Sequence, residues 1–168
     1  MNPNMEKIIR QLTDLANEKK EENRRYFSRL KKKPRKRLDL LVHELHEEEF
    51  SRTNCLDCAN CSKTTSPIVT DKDISRISKF LKVKEHKFVE EYLRRDEDDF
   101  MVLKQAPCPF LADDNSCFIY EARPKACREY PHTDRKRFHQ IANLTVKNTE
   151  ICPAAYNIVE NLKKRLPL

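Results

Sequence analysis

The chain runs to 168 residues without a single glycine. Glycine is the residue that takes left-handed backbone at no steric cost. Every tight turn here must therefore be made by something else, and the nine prolines together with Asn and Asp are the residues expected to do it. The gap also removes two classes of chemistry. The glycine-rich phosphate loop and the dinucleotide fingerprint both need glycine where backbone approaches phosphate closely.

Against that background stand seven cysteines. Three are packed into Cys55-Leu-Asp-Cys58-Ala-Asn-Cys61, and Cys108, Cys117, Cys127 and Cys152 follow. Thiolates at two-residue spacing are good soft ligands for zinc or for iron–sulfur clusters. An odd number of cysteines does not suit a simple disulfide framework. The first residues, Met1 to Glu22, are polar and charged, so no secretory leader is expected. No apolar run approaches the roughly 20 residues of a membrane helix. A cytoplasmic protein with no membrane contact is the expectation, and in that compartment clustered cysteines mean metal or redox chemistry. With 38% hydrophobic and 36% charged residues, the core should be modest and a metal staple useful.

Periodicity predicts a long helix over residues 5–32, with Ile8, Ile9, Leu12, Leu15 and Ala16 on one apolar stripe and Pro34 ending or kinking it. A second helix is expected from Leu38 to about Phe50, and the cysteine loop 54–66 reads as turn-like. Residues 67–70 read as a short extended segment. Thr70 and Asp71 are N-cap candidates for a helix over about 72–82, with Ile74, Ile77, Phe80 and Leu81 facing inward. A helix over about 84–95 would bury Phe88, Val89, Tyr92 and Leu93. Phe100 to Leu103 reads as a strand. Residues 105–135 read as irregular, with a short strand at Cys117 to Tyr120 and a helical turn over 124–130. Pro153 suits the first turn of a closing helix over 153–166. The fold class expected is mainly α with a few short strands. The organisation expected is an N-terminal helical arm over 1–50 and a small, metal-stabilised cysteine-cluster domain over 51–168.

The cysteine run, Thr70-Asp-Lys-Asp73-Ile, Cys108-Pro-Phe-Leu, Cys117-Phe-Ile-Tyr-Glu-Ala-Arg-Pro124 and Cys127-Arg-Glu-Tyr-Pro131 occur in one order. In that order the chain resembles the YkgJ-type cysteine-cluster family, also described as the CxxCxxCC zinc- or iron-chelating domain, over about residues 52–155. The family's first motif usually ends in a cysteine doublet, and Ser62 stands at its second position here, so Cys152 is a candidate replacement ligand. The resemblance implies a bound metal or iron–sulfur centre. It also implies Cys127 as the leading remote ligand. A related cluster occurs in flagellin lysine-N-methylases, which gives one enzymatic alternative, disfavoured by the short chain and the missing glycine-rich loop.

Ligand chemistry leaves two occupants open. Cys55, Cys58 and Cys61 can wrap three corners of a [4Fe–4S] cubane, with Cys108 or Cys152, each followed by proline, as the fourth. Zinc would take Cys55 and Cys58 as one half-site and Cys117 and Cys127 as the other. The seven cysteines are thus the candidate metal ligands, with the iron–sulfur reading slightly preferred. Lys63, Arg123, Lys125 and Arg128 would offset the charge of either centre. His132, five residues after Cys127, is a lesser candidate, and a surface-turn histidine is the plainer reading. His43 and His46 lie one helical turn apart and can form a metal face, or simply sit on a charged helix among glutamates. Residues 29–37 carry seven Lys or Arg in nine positions. That run fits a solvated helix end, or a contact to nucleic acid or an acidic protein partner. The expectation for function is a metal- or cluster-binding protein with a structural or redox-active centre. The rivals are the methylase-like enzyme and a zinc-stabilised interaction module.

Overall fold

A computed structural model describes residues 3–32 and 36–168. Helix α1 spans Pro3–Lys32 and α2 spans Leu38–Phe50, as periodicity predicts. The end expected at Pro34 lies outside the described residues. The cysteine loop is not a loop. It holds two short helices, α3 (Cys55–Cys58) and α4 (Asn60–Thr64), hinged at Ala59 in left-handed backbone, φ 47. Then come α5 (Asp71–Leu81), α6 (Glu85–Tyr92), β1 (Leu93–Arg95), β2 (Met101–Leu103), α7 (Lys125–Glu129), α8 (Ala142–Thr149) and α9 (Pro153–Arg165). Among the described residues the fold is mainly α with two short antiparallel strands. Among the described residues no helix is long and apolar enough to cross a membrane.

The chain forms two compact units, Met1–Cys58 with Pro131–Leu168, and Ala59–Tyr130. In the first, Tyr26, Phe27 and Leu30 of α1 pack with Leu38, Val42 and Leu45 of α2, Phe138, Val146 of α8, and Ile158, Val159 and Leu162 of α9. Phe27 and Phe138 meet edge to face, 5.9 Å between centroids. Each such fully buried side chain contributes about 1.5–3 kcal/mol through lost water contact. The stripe read at the start of α1 is only partly used: Leu12 and Ala16 are buried, while Ile8 and Leu15 are exposed. α8 had no clear sequence signal, because its inward face includes Thr145, Asn148 and Thr149 rather than an apolar stripe. Asn148 Nδ2 donates to Pro131 O (2.9 Å), so that polar face is bonded, not merely hidden. α2 and α9 are tied by Asn157 Nδ2 donating to Glu49 Oε1 (2.8 Å).

The second unit is built on α5. Thr70 caps it with a reciprocal capping box to Asp73, which sets the helix start. Ile74 and Ile77 face the core as expected; Phe80 is 48% exposed. α6 stops at Tyr92, three residues short of the expected end. There Lys104 N donates to Tyr92 O (2.8 Å), and Leu93 pairs with Leu103 in the β1–β2 hairpin. Ladder pairing with 101–103 overrides helix continuation. Residues 117–120 form a bridge and a turn, not a strand: Cys117 pairs with Leu111, and a 3₁₀ turn begins at Tyr120. Ile68 bridges to Val102, so the extended reading of 67–70 stands. Phe88, Tyr92 and Phe110 stack at 5.0 to 6.5 Å and join Val69, Ile77, Leu103 and Ile119 in the core.

The missing glycine shows in the turns. Left-handed backbone falls on Arg37, Ala59, Lys82, Asp99, Asn115, His132 and Arg137. Asp99 and Asn115 are the types expected there. The others carry an ordinary Cβ at a cost of about 1 kcal/mol or more each.

Candidate metal centre

Four thiols belong to the second unit, each positioned by different local chemistry. Cys61 sits in α4, and its carbonyl accepts from Thr65 N (3.0 Å) and Thr65 Oγ1 (2.7 Å). Cys108 is tied to the same helix, its N–H donating to Ser62 O at 2.8 Å. Beyond it, Phe110 is anchored in the aromatic stack, so the Cys-Pro-Phe turn hangs from the core. Cys117 returns against Leu111, held by Phe118 N to Phe110 O (2.9 Å) and Ala112 N to Ser116 O (2.9 Å). Cys108 and Cys117 pack against the core as half-buried residues. Cys127 lies in α7, its N–H donating to Pro124 O at 3.0 Å.

These thiols feel one another. Cys127 is pushed up to about 12, first by desolvation, then by Cys108, Cys61 and Cys117, with Arg123 pulling the other way. The residue as a whole is exposed, so it is the protein gathered about the thiol that desolvates it. Cys108 is raised chiefly by burial and further by Cys117, while N–H bonds from Phe110 and Leu111 to its sulfur oppose that. Backbone N–H groups aimed at sulfur favour the thiolate, the form that binds metal. Thiols that raise one another in a desolvated setting resist ionising together unless a cation joins them. The donor set therefore fits a thiolate-bound metal or cluster. Among the described residues no three thiols lie within 4.8 Å of one another.

Arg123 is the cation whose charge opposes the rise at Cys127. Its guanidinium lies 3.7 Å from the centroid of the Tyr120 ring and donates to Tyr120 O (2.6 Å). The N–H donors of Phe110 and Leu111 and the carbonyl of Ser62 were not readable in sequence, because backbone groups carry no residue signature. The only hint was the Cys108-Pro109 start of that turn.

The remaining candidates lie in the first unit. Cys55 and Cys58 share α3, and Cys55 is raised by desolvation and then by Cys58. Cys152 is the N-cap of α9, its sulfur accepting from Ala155 N at 3.5 Å. His132 occupies left-handed backbone. His43 and His46 do not act as a pair: His43 Nδ1 bonds Asp134 (2.8 Å), and His46 Nδ1 bonds Thr133 Oγ1 (2.8 Å). His43, Glu47 and Asp134, all exposed, bring one ligand atom each within 4.8 Å of the others. Of the basic run, Lys33, Pro34 and Arg35 lie outside the described residues, and Arg29 Nη1 donates to Leu168 O (3.0 Å).

A mainly helical protein with seven cysteines, four of them in one compact unit, carries the donor set of the metal-chelating class. Comparison with protein families makes the assignment specific. Residues 54–153 match the CxxCxxCC family, described as "Putative zinc- or iron-chelating domain", and the chain belongs to that family. No solved structure matches it.

Proposed function

We propose that the protein holds an iron–sulfur cluster, with Cys61, Cys108, Cys117 and Cys127 as its principal ligands. The observation that carries this reading is that Cys127, desolvated within its unit, is raised further by Cys108, Cys61 and Cys117, and that Cys108 is raised by Cys117. A remote cysteine followed by proline, as at Cys108-Pro109, is a familiar cluster ligand, which favours a cluster over a single ion. When bound, the cluster supplies charge neutralisation for the four thiolates and closes the long loops between them, which adds folding free energy directly. The N–H bonds to Cys108 would tune its sulfur, and the Arg123 guanidinium would balance net negative charge. Cys152 in the first unit has another role, its sulfur accepting from Ala155 N at the start of α9.

The test is anaerobic purification with iron, zinc and acid-labile sulfide measured per chain, for the native protein and for each Cys→Ser variant. A brown protein with matching iron and sulfide is expected. Metal content should fall most for Cys61→Ser, Cys108→Ser, Cys117→Ser and Cys127→Ser, and least for Cys152→Ser. Full occupancy in Cys127→Ser would show that the centre is built from other residues. A colourless protein carrying zinc and no sulfide would assign the thiols to zinc instead.

A further inference from the structure

We propose that Asp73 and Arg76, neither of them a metal ligand, are positioning residues for Cys127. The proposal rests on the reading that Cys127 is a ligand of the centre. Asp73 is 1% exposed, a carboxylate taken out of water and so demanding partners on both oxygens. Oδ2 does the work of the capping box, accepting from Thr70 N (3.0 Å) and Thr70 Oγ1 (2.7 Å). That alone would start α5. Oδ1 is turned elsewhere: it accepts from Lys125 N (3.1 Å) and from Arg76 Nη2 (2.5 Å).

Lys125 is the first residue of α7, and its N-cap is Pro124, whose side chain makes no capping bond. Asp73 thus supplies, from 52 residues away, the cap that Pro124 cannot. Arg76 completes the grip, with Nε donating to Ala122 O (3.3 Å) and Nη2 to Arg123 O (2.8 Å). The pair holds the carbonyls of 122 and 123 and the N–H of 125, which brackets Pro124. A five-residue helix such as α7 cannot hold its own geometry, because so few internal bonds offset the cost of its first turn. Its orientation, and with it the direction of the Cys127 thiol two residues further on, is fixed by the fork from α5. Carboxylate and guanidinium both sit on α5 within one turn, so the reference frame for Cys127 is the most firmly capped helix of its unit.

The experiment is a double-mutant cycle on metal retention. Arg76→Ala and Arg76→Lys are made in the native chain and in Cys127→Ser, since Asp73→Ala removes a helix cap as well and tests folding too. Metal loss to excess EDTA is timed under anaerobic conditions, iron and zinc both assayed, and helicity is checked by circular dichroism. Arg76→Ala should release metal about tenfold faster or more, in the range usual for residues that orient ligands. Arg76→Lys should fall between, because one ammonium cannot span both carbonyls. In the Cys127→Ser background, reconstituted anaerobically with iron and sulfide or with zinc before the EDTA chase, neither substitution should add anything to metal content or release rate, because the ligand they orient is gone. Equal acceleration in both backgrounds, or none in the native chain, overturns the proposal. A native protein that binds no metal would instead overturn the reading of the centre on which it rests.

Discussion

His46 shows how a single residue can be misread from its neighbours in sequence. Its helix is crowded with glutamates, yet the ring stacks on Phe50 at 4.5 Å and bonds Thr133. Burial is the main cause that lowers its pKa, against the pull of Asp134 and Glu47 and with a small push from His43. The folded state therefore prefers the neutral ring. Below the ordinary histidine value of about 6.5 the unfolded chain takes up a proton that the folded chain resists, so stability is lost as pH falls. Urea melts between pH 7 and pH 5 should show falling stability, and His46→Gln should flatten that slope. An unchanged slope in the variant would show that other groups carry the acid sensitivity. The cysteines were legible as candidate soft ligands, because their spacing is a local property. Which of them share one neighbourhood was not, because that depends on segments up to 66 positions apart being brought together.

At the scale of elements, caps decided more than propensity did. The capping box of Thr70 and Asp73 was half visible in sequence, and α5 begins where it indicates. Its other end is a left-handed Lys82, φ 58, followed by Val83 N donating to Ser78 O (3.0 Å). This is the six-to-one bond of a helix terminus that glycine usually closes. A chain without glycine accepts strain there. Lys82→Gly should raise unfolding free energy by about 1 kcal/mol in denaturant melts. A loss of stability would mean that the lysine side chain contributes more than the strain costs. The early end of α6 has another cause. Residues 93–95 have no strand signature of their own, and they become β1 only because 101–103 offer a ladder.

For the whole molecule, the two units differ in what holds them. The first has an apolar core of large residues from α1, α2, α8 and α9, none of them a cysteine. The second has a smaller core, with Cys108 and Cys117 packed on its edge. If the thiols bind a cluster, its removal should strike the second unit first, since the closure of its loops depends on it. Hydrogen exchange after anaerobic chelation should show amides between Val69 and Ala122 losing protection, while amides of α1, α8 and α9 keep theirs. Uniform loss along the chain, or no change at all, would contradict this.

The sequence alone determined the helical class, the long first helix, the start of α5, the helix after Pro153 and the family. Each of these rests on information local to the chain: period, cap, proline position, or a motif read in order. Tertiary structure decided the rest. It turned the first cysteine run into two short helices around a strained Ala59, gave α8 its place through bonded polar groups, and exposed Phe80. It also aimed a buried carboxylate on α5 at a backbone N–H of α7. Such contacts join residues far apart in the chain, and their energy exists only once the backbone between them has closed.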